Sequence, residues 1–305
     1  MVVFDFYNLL HRSYHAFPRE MKTSTGVQTN AVYGFISSVL NIIKEFNPQY
    51  VIVAGESGPS FRKEQFEDYK ATRTWRKDHP DEAKELDAQA ELVKEILSAM
   101  EIPLIDIPTY EADDVIGSVT KKFAKDNVEM LLISNDMDML QLVNGFVKAF
   151  RPARPPFVKK KIYTKEEVVK SFGFGPDKIV DYKSLRGDPS DNIPGVKGIG
   201  EKTAKKLIHE FGSLENIYKN IDAITPPALK KKLTEGKESA FLSKELSTIK
   251  IDVPVETSLK DAEIKDFRNE NVLSAFNKYE FKSLLEKLSS DKTPPTHENQ
   301  MGLGL

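Results

Sequence analysis

The sequence predicts an α/β protein with a mostly parallel twisted sheet flanked by helices. Two features predict it: short apolar runs at residues 2–4, 50–54, 102–105 and 130–134, and helix-period stretches between them at 29–46, 83–100, 112–125 and 137–143. Val2-Val3-Phe4 is the first strand, and the helix after it carries Arg12 and Tyr14. Between Arg62 and Pro80 the texture changes to charged residues interleaved with aromatics, with too few apolar positions for a core strand. This stretch reads as an exposed, partly helical element that projects from the sheet and is ordered by a ligand. After residue 170 come short helices joined by Gly and Pro turns as far as Leu288. The expected organisation is therefore a core at 1–170 with the projecting element at about 62–82, a helical domain at 171–288, and a disordered tail at 289–305.

Composition narrows the chemistry. The 305 residues suit one large or two ordinary domains, and 40% apolar residues supply a core. The chain has no cysteine, which excludes disulfides, thiolate zinc sites and a cysteine nucleophile. Its five histidines, His11, His15, His79, His209 and His297, show no zinc spacing. No apolar run reaches membrane-span length, and Met1-Val2-Val3-Phe4-Asp5 has neither a basic leader nor a cleavage-like site. The expectation is a soluble, cytoplasmic and nucleoid-associated protein, or an organellar one, with no membrane partner. The net charge of -2 must be read by region, because a strongly acidic site masks basic surface elsewhere.

Nine carboxylates carry most of the functional signal. Asp5, Glu56, Glu111, Asp113, Asp114, Asp136, Asp138, Asp188 and Asp191 follow short apolar runs or lie inside tight acidic motifs. Strand carboxyl ends form the ligand crevice of an open parallel sheet. Two carboxylates about 4 Å apart repel by roughly 4 kcal/mol at an effective dielectric near 20, so such pairs do not stay ionised together without cations. Hard cations with oxygen ligands, Mg²⁺ or Mn²⁺, answer that need. The competing use of Tyr110-Glu111-Ala112-Asp113-Asp114 is a helix start, where the dipole offsets only about 0.3 to 1 kcal/mol per charge. Asn135-Asp136-Met137-Asp138 repeats the arrangement after another strand, which favours metal over caps.

The block from Gly187 to Ala204 is the second strong motif. It begins with Asp188 and Asp191, passes through Gly195-Val196-Lys197-Gly198-Ile199-Gly200, and runs into a helix carrying Lys202, Lys205 and Lys206. Glycines let backbone approach a phosphate, helix-start amides point at it, and lysines neutralise it. Such a device grips duplex backbone with little sequence preference. A packing loop between helices is the plain alternative, and the acids just upstream are what tie the anchor to the metal site.

These motifs, with Thr29-Asn30-Ala31-Val32-Tyr33-Gly34-Phe35 and Tyr69-Lys70-Ala71-Thr72-Arg73, closely resemble the bacterial and phage 5′-nucleases, a family that includes the 5′-to-3′ exonuclease domain of DNA polymerase I and is related to the flap endonucleases. The resemblance runs in order to Tyr279-Glu280-Phe281-Lys282-Ser283-Leu284-Leu285. It implies a PIN-like core, a helical arch and a C-terminal helix-hairpin-helix subdomain. It also implies two or more Mg²⁺ ions, with Mn²⁺ as a substitute: one held by Asp5, Glu56, Glu111 and Asp113 with Asp114 alongside, another by Asp136, Asp138, Asp188 and Asp191. Lys70 and Tyr69 match the arch pair that meets the scissile phosphate and the unstacked terminal bases, and Arg73 matches a basic arch residue. Gly195, Lys197, Gly198, Gly200, Lys202, Thr203 and Lys206 fall in the duplex grip, where the family usually binds a monovalent cation such as K⁺.

The chain departs from the family at Phe6-Tyr7, where Gly-Asn is usual, and at Glu56, which stands for Asp on a loop one residue shorter. Lys159-Lys160-Lys161, Lys230-Lys231-Lys232 and Arg186 either track phosphates or form solvated surface. Trp75 either stacks on an unpaired base or anchors the arch. The resulting reading is a monomeric, metal-dependent 5′-nuclease acting on DNA with a 5′ flap, nick or 5′ end, with water as the nucleophile. Two alternatives remain: an enzyme removing RNA primers from RNA-DNA hybrids, and a junction-binding protein that no longer cuts.

Overall fold

The computed structural model describes residues 1–124, 128–153 and 159–290. The first strand, β1 (Val2–Asp5), is buried along its whole length and passes directly into α1 (Phe6–Ala16), whose N-cap is Asp5. There follow α2 (Asn30–Phe46), β2 (Val51–Ala54), α3 (Phe61–Gln65), α4 (Trp75–Asp78), α5 (Pro80–Ala99), β3 (Leu104–Ile105) and α6 (Ala112–Ala124). Next come β4 (Met130–Ile133), a 3-10 helix (Met137–Leu142), β5 (Val147–Arg151), β6 (Lys161–Tyr163) and α7 (Lys165–Phe172). The remaining helices are α8 (Ile179–Arg186), α9 (Glu201–Phe211), α10 (Leu214–Lys219), α11 (Pro227–Glu235), α12 (Lys237–Ser247), α13 (Glu270–Lys278) and α14 (Lys282–Ser290).

The strands form one six-stranded sheet in the order β3-β2-β1-β4-β5-β6, parallel throughout except that β6 runs against β5. From β1 the chain first steps outward through β2 and β3, then returns to the other side of β1 with β4. Crossovers that diverge from neighbouring strands leave a crevice at the strands' carboxyl ends. Here that point lies between Asp5 and the turn after β4.

Period-two alternation divides the strand side chains between two cores. Val3, Ile52, Leu132 and Met130 pack with Val115, Ile116 and Val119 of α6 and with Leu185, Leu207 and Ile208 of the later helices. Val2, Phe4, Val53 and Leu131 pack with Phe35, Leu86 and Ile96 of α2 and α5. The second core also takes Val272, Phe276 and Leu284. Thus α13 and α14 return to the α/β body, whereas the sequence reading placed everything from 171 to 288 in a separate helical domain.

The helices of this second face are tied by a buried polar link. Gln89 of α5 accepts the Ala31 amide at 2.8 Å at the start of α2 and donates to Asn30 Oδ1 at 2.9 Å. Asn30 in turn donates to the Tyr14 carbonyl at 2.8 Å. Gly34 lets α1 and α2 close on one another, since a Cβ there would lie 2.7 Å from the Phe17 ring.

Several local expectations change. The antiparallel edge pair β5 and β6 was not foreseen, because Lys148, Arg151 and Lys161 interrupt its apolar pattern. The stretch 137–143 is a short 3-10 helix started by the Asp136 side chain, which accepts the Asp138 amide. The 62–80 element is largely exposed, yet Arg62 and Tyr69 are each only 2% exposed, because both turn inward to the acidic site. The expected disordered tail lies outside the described residues from 291 onward.

Replacing Gln89 with leucine should strand the Ala31 amide in the core and remove one of the donors to Asn30 Oδ1. The expected loss is about 1 to 3 kcal/mol, read as a lower urea midpoint at unchanged slope.

Candidate active site

At the carboxyl ends of the strands lies a cavity of about 1160 Å³ whose walls include Asp5, Glu56, Glu111, Asp113 and Asp136, faced by Tyr69, Lys70 and Arg73. Each acid arrives there from a different connection. Asp5 ends β1, Glu56 follows β2, Glu111 and Asp113 open α6 after β3, and Asp136 follows β4. Asp5 accepts the Asn8 amide at 3.1 Å and the Ser134 hydroxyl at 2.9 Å. Asn8 Oδ1 also accepts the backbone and side-chain N–H groups of Asn135, each at 3.0 Å, which binds the β1 turn to the β4 turn.

Crowding shows in the acidities. Burial pushes Asp5 up to about 7, and the charges of Asp136 and Glu56 add to it against the pull of the Asn8 and Ser134 hydrogen bonds. Asp113 is held well above the usual carboxylate range, first by its packed surroundings and then by Asp136 and Asp5. Asp138 is raised to about 7 by burial, with Lys183 working in the other direction.

Cationic side chains share the load. Glu111 accepts Lys70 Nζ at 2.8 Å, the Tyr69 hydroxyl at 3.1 Å and Arg62 Nη1 at 3.3 Å. Arg73 pairs with Asp191, whose carbonyl also takes the Lys70 amide at 2.8 Å. Lys183 of α8 bridges Asp138 and Asp188, reaching the latter at 2.6 Å. Burial would raise Asp188, but Lys183 and the Ser190 hydrogen bonds hold it down at about 2.

The donor set is all carboxylate oxygen, with Asp5 and Asp113 held above the usual carboxylate range by burial and by their acidic neighbours, and this chemistry fits hard divalent cations. Among the described residues, no three of these side chains are drawn together closely enough to hold an ion, and the Lys and Arg side chains occupy the intervening positions.

The structure separates the nine acids. Asp5, Glu56, Glu111, Asp113 and Asp136 share the cavity, while Asp138, Asp188 and Asp191 form a neighbouring group around Lys183 and Arg73. Asp114 belongs to neither and must be taken out of the metal set. It is fully buried, grips Arg62 through two contacts of 2.7 Å, and accepts the Glu111 and Lys250 amides. That fills its lone pairs and leaves none for an ion.

Tyr69 also differs from the reading of it as a base-stacking partner. Its ring is buried beside Ile193 and Leu246, and its hydroxyl is used on Glu111. Trp75 is half-buried in edge contact with His11 at 5.0 Å and His15 at 5.5 Å, and it also lines the cavity. Phe6 points into the core and Tyr7 lines the cavity. Lys160 and Lys161 pair with Glu45 and Glu167, and Lys230 with Asp222. Sequence reasoning missed Arg62, Lys183, Asn8 and Ser134, because a single basic or amide residue carries no period or motif.

The glycine block is built as a close crossing of backbone. Gly187 and Gly195 have φ of 77° and 62°, and a Cβ on Gly195 would lie 2.2 Å from the Gly187 nitrogen, so no side chain fits. Asp188 and Ile193 pair across the loop, and Asn192 Nδ2 donates to the Asp68 carbonyl at 2.7 Å, joining it to the 62–80 element. Gly200 starts α9 with no side-chain cap, leaving helix-start amides open beside exposed Lys197, Lys202 and Lys206, while Thr203 is half-buried. The Gly198 carbonyl accepts Lys232 Nζ at 3.2 Å.

Comparison with known proteins matches residues 1–173 to the N-terminal, resolvase-like domain of 5′-3′ exonucleases and residues 174–270 to their C-terminal SAM-fold domain. DNA polymerase I of Caldicellulosiruptor bescii is 42% identical over 94% of this chain, and that of Bacillus subtilis 37% over 99%. The chain spans about one third of the length of either polymerase, each covered to 33%. A 5′-3′ exonuclease of Aquifex aeolicus is 35% identical, with 94% of both chains covered. Among solved structures, the T5 5′-exonuclease with bound zinc aligns at TM-score 0.67 and 24% identity over 94% of this chain and 99% of its own. Flap endonuclease-1 of Methanococcus jannaschii aligns at TM-score 0.62 and 19% identity over 94% of this chain and 90% of its own. At these identities the two structures speak for the fold.

One pH response follows from the cavity wall. Burial first, then the charges of Arg76, His15 and Arg73, lower His11 from 6.5 to about 4. The unfolded chain therefore binds the extra proton between those values, so this contribution to stability is complete above about pH 6.5 and is lost as pH falls through about 4. In EDTA, His11→Gln should flatten the fall in melting temperature across that window.

Proposed function

The chain belongs to the 5′-3′ exonuclease family, and from that premise we propose that it is a structure-specific 5′-nuclease, hydrolysing DNA phosphodiesters near single-strand to duplex junctions and leaving a 5′-phosphate. The observation that carries this reading is the placing of Lys70 and Arg73 against two acidic groups at the sheet's switch point, with an exposed lysine-bearing helix start on the same loop.

Divalent cations, Mg²⁺ with Mn²⁺ as a substitute, would supply the Lewis acidity that activates water and offsets charge on the attacking and leaving oxygens. Asp5, Glu56, Glu111, Asp113 and Asp136 would hold one, and Asp138, Asp188 and Asp191 would hold or orient another. Lys70 stands at the cavity with its ammonium on Glu111 at 2.8 Å, so a short swing brings it to a phosphate oxygen, where it stabilises the negative charge that builds during displacement. Burial would lower that ammonium, but Glu111 and Asp191 hold it above its ordinary value, so Lys70 acts as a cation and not as a general base. Arg73 is half exposed and takes the adjoining phosphate.

Duplex is gripped by backbone amides at the start of α9 with Lys197, Lys202 and Lys206, a phosphate contact without base readout. A K⁺ ion in this turn would replace the Lys232 ammonium at the Gly198 carbonyl. Residues 1–170 would then cut while the helices that follow hold the substrate, and the 62–82 element lies between the two.

A 5′-labelled DNA flap incubated with Mg²⁺ or with EDTA tests the reading, and an RNA flap on the same junction ranks the substrates. Metal-dependent cutting near the junction is expected, and tight binding without cutting in Mg²⁺ or Mn²⁺ would overturn it. Asp136→Asn and Asp191→Asn should each abolish cutting and leave junction binding in Ca²⁺ intact. Lys202→Ala and Lys206→Ala should each reduce the salt slope of binding by about 1.

A further inference from the structure

Arg62 is the least expected charge in the molecule, a guanidinium 2% exposed in a segment that is otherwise mostly at the surface. Every N–H of its fork is used. Nη1 and Nη2 meet the two Asp114 oxygens at 2.7 Å each, and Nη1 also reaches Glu111 Oε2 at 3.3 Å. Nε donates to the Leu246 carbonyl at 3.0 Å and Nη2 to the Thr248 carbonyl at 2.8 Å. These last two acceptors are the end of α12, where unpaired carbonyls and the helix dipole favour a cation. One side chain therefore joins three parts of the chain: the base of the 62–80 element, the acidic start of α6, and the end of a helix in the C-terminal region.

We propose that Arg62 is a positioning residue for Glu111, fixing that carboxylate at the cavity by locking the acidic turn to the end of α12. The inference rests on the reading of Glu111 as a metal-holding carboxylate. Asp114 is the intermediary, since its oxygens take both Arg62 nitrogens and the Glu111 and Lys250 amides, which pins the turn's backbone as well as its side chain. Lys70 and Tyr69 also reach Glu111, but they line the open cavity, whereas Arg62 approaches from the packed side and is absent from the cavity wall. Lysine cannot substitute, because one ammonium has three donors and no planar fork. Groups that orient a metal ligand are typically worth 10- to 100-fold in affinity or activity.

The test uses the full chain as wild type, Arg62→Lys and Arg62→Gln, with melting temperature and near-ultraviolet circular dichroism confirming the fold. Mn²⁺ affinity is measured by calorimetry without DNA, flap binding is measured in Ca²⁺, and cleavage is resolved into kcat and KM. The expected result for Arg62→Lys is Mn²⁺ affinity and kcat each lower by about 10- to 100-fold, with KM and flap binding within about threefold. Should Arg62→Gln fail to fold, Arg62→Lys carries the decision, since it keeps the charge that Asp114 requires. A folded Arg62→Lys with wild-type Mn²⁺ affinity and kcat would overturn the proposal and leave Arg62 a packing residue. Failure of the wild type itself to bind Mn²⁺ or to cut would instead overturn the nuclease reading, so the two failures are distinct.

Discussion

The fold is organised around the mutual repulsion of carboxylates gathered in one place. Asp5, Asp113 and Asp138 are forced above the usual acid range because burial and neighbouring acids disfavour their charged forms. A folded chain tolerates such a cluster only if positive charge is delivered to it, and each delivery constrains the chain that makes it. Arg62 fixes the base of the 62–80 element, Lys70 and Arg73 fix its middle, and Lys183 fixes α8. Much of the tertiary arrangement near the site is thus the geometry of charge compensation.

The sheet topology explains why the acids meet at all. Parallel strands β1, β2 and β4 all end on the same side, so residues far apart in sequence emerge along one edge. The reversal of strand order at β1 keeps the connecting helices from covering that edge. Small polar residues then set the distances: Asn8 and Asn135 tie the β1 and β4 turns, and Ser134 holds Asp5. The same acids that cap helices here, Asp5 for α1 and Asp136 for the 3-10 helix, also line the cavity, so capping and site formation are one arrangement rather than rival uses.

The 62–80 element serves two ends. Its basic residues relieve the acidic groups within the protein, and in the proposed reading they are also the groups that meet a phosphate. The Gly187–Gly195 crossing links the acidic cluster to the start of α9. The loop that carries Asp188 and Asp191 into the acidic cluster is the one that presents the α9 amides outward.

The sequence by itself determined the α/β class, the β1, β2 and β4 strands within a residue or so, and the acids that end them, because period and motif are local signals. It also carried the glycine block, since Gly187 and Gly195 have no substitute where backbone crosses backbone. Only the tertiary structure decided which acids share a cavity and which are buried struts: Asp113 and Asp114 are neighbours in sequence, yet helical geometry turns one to the cavity and the other to Arg62. It alone showed Tyr69 packed inward, Trp75 set against His11, and α13 and α14 returned to the α/β body. Pairing of a lone Arg or Lys with an acid depends on contacts across 52 residues for Arg62 and 118 for Arg73, and no local pattern in the chain encodes those distances.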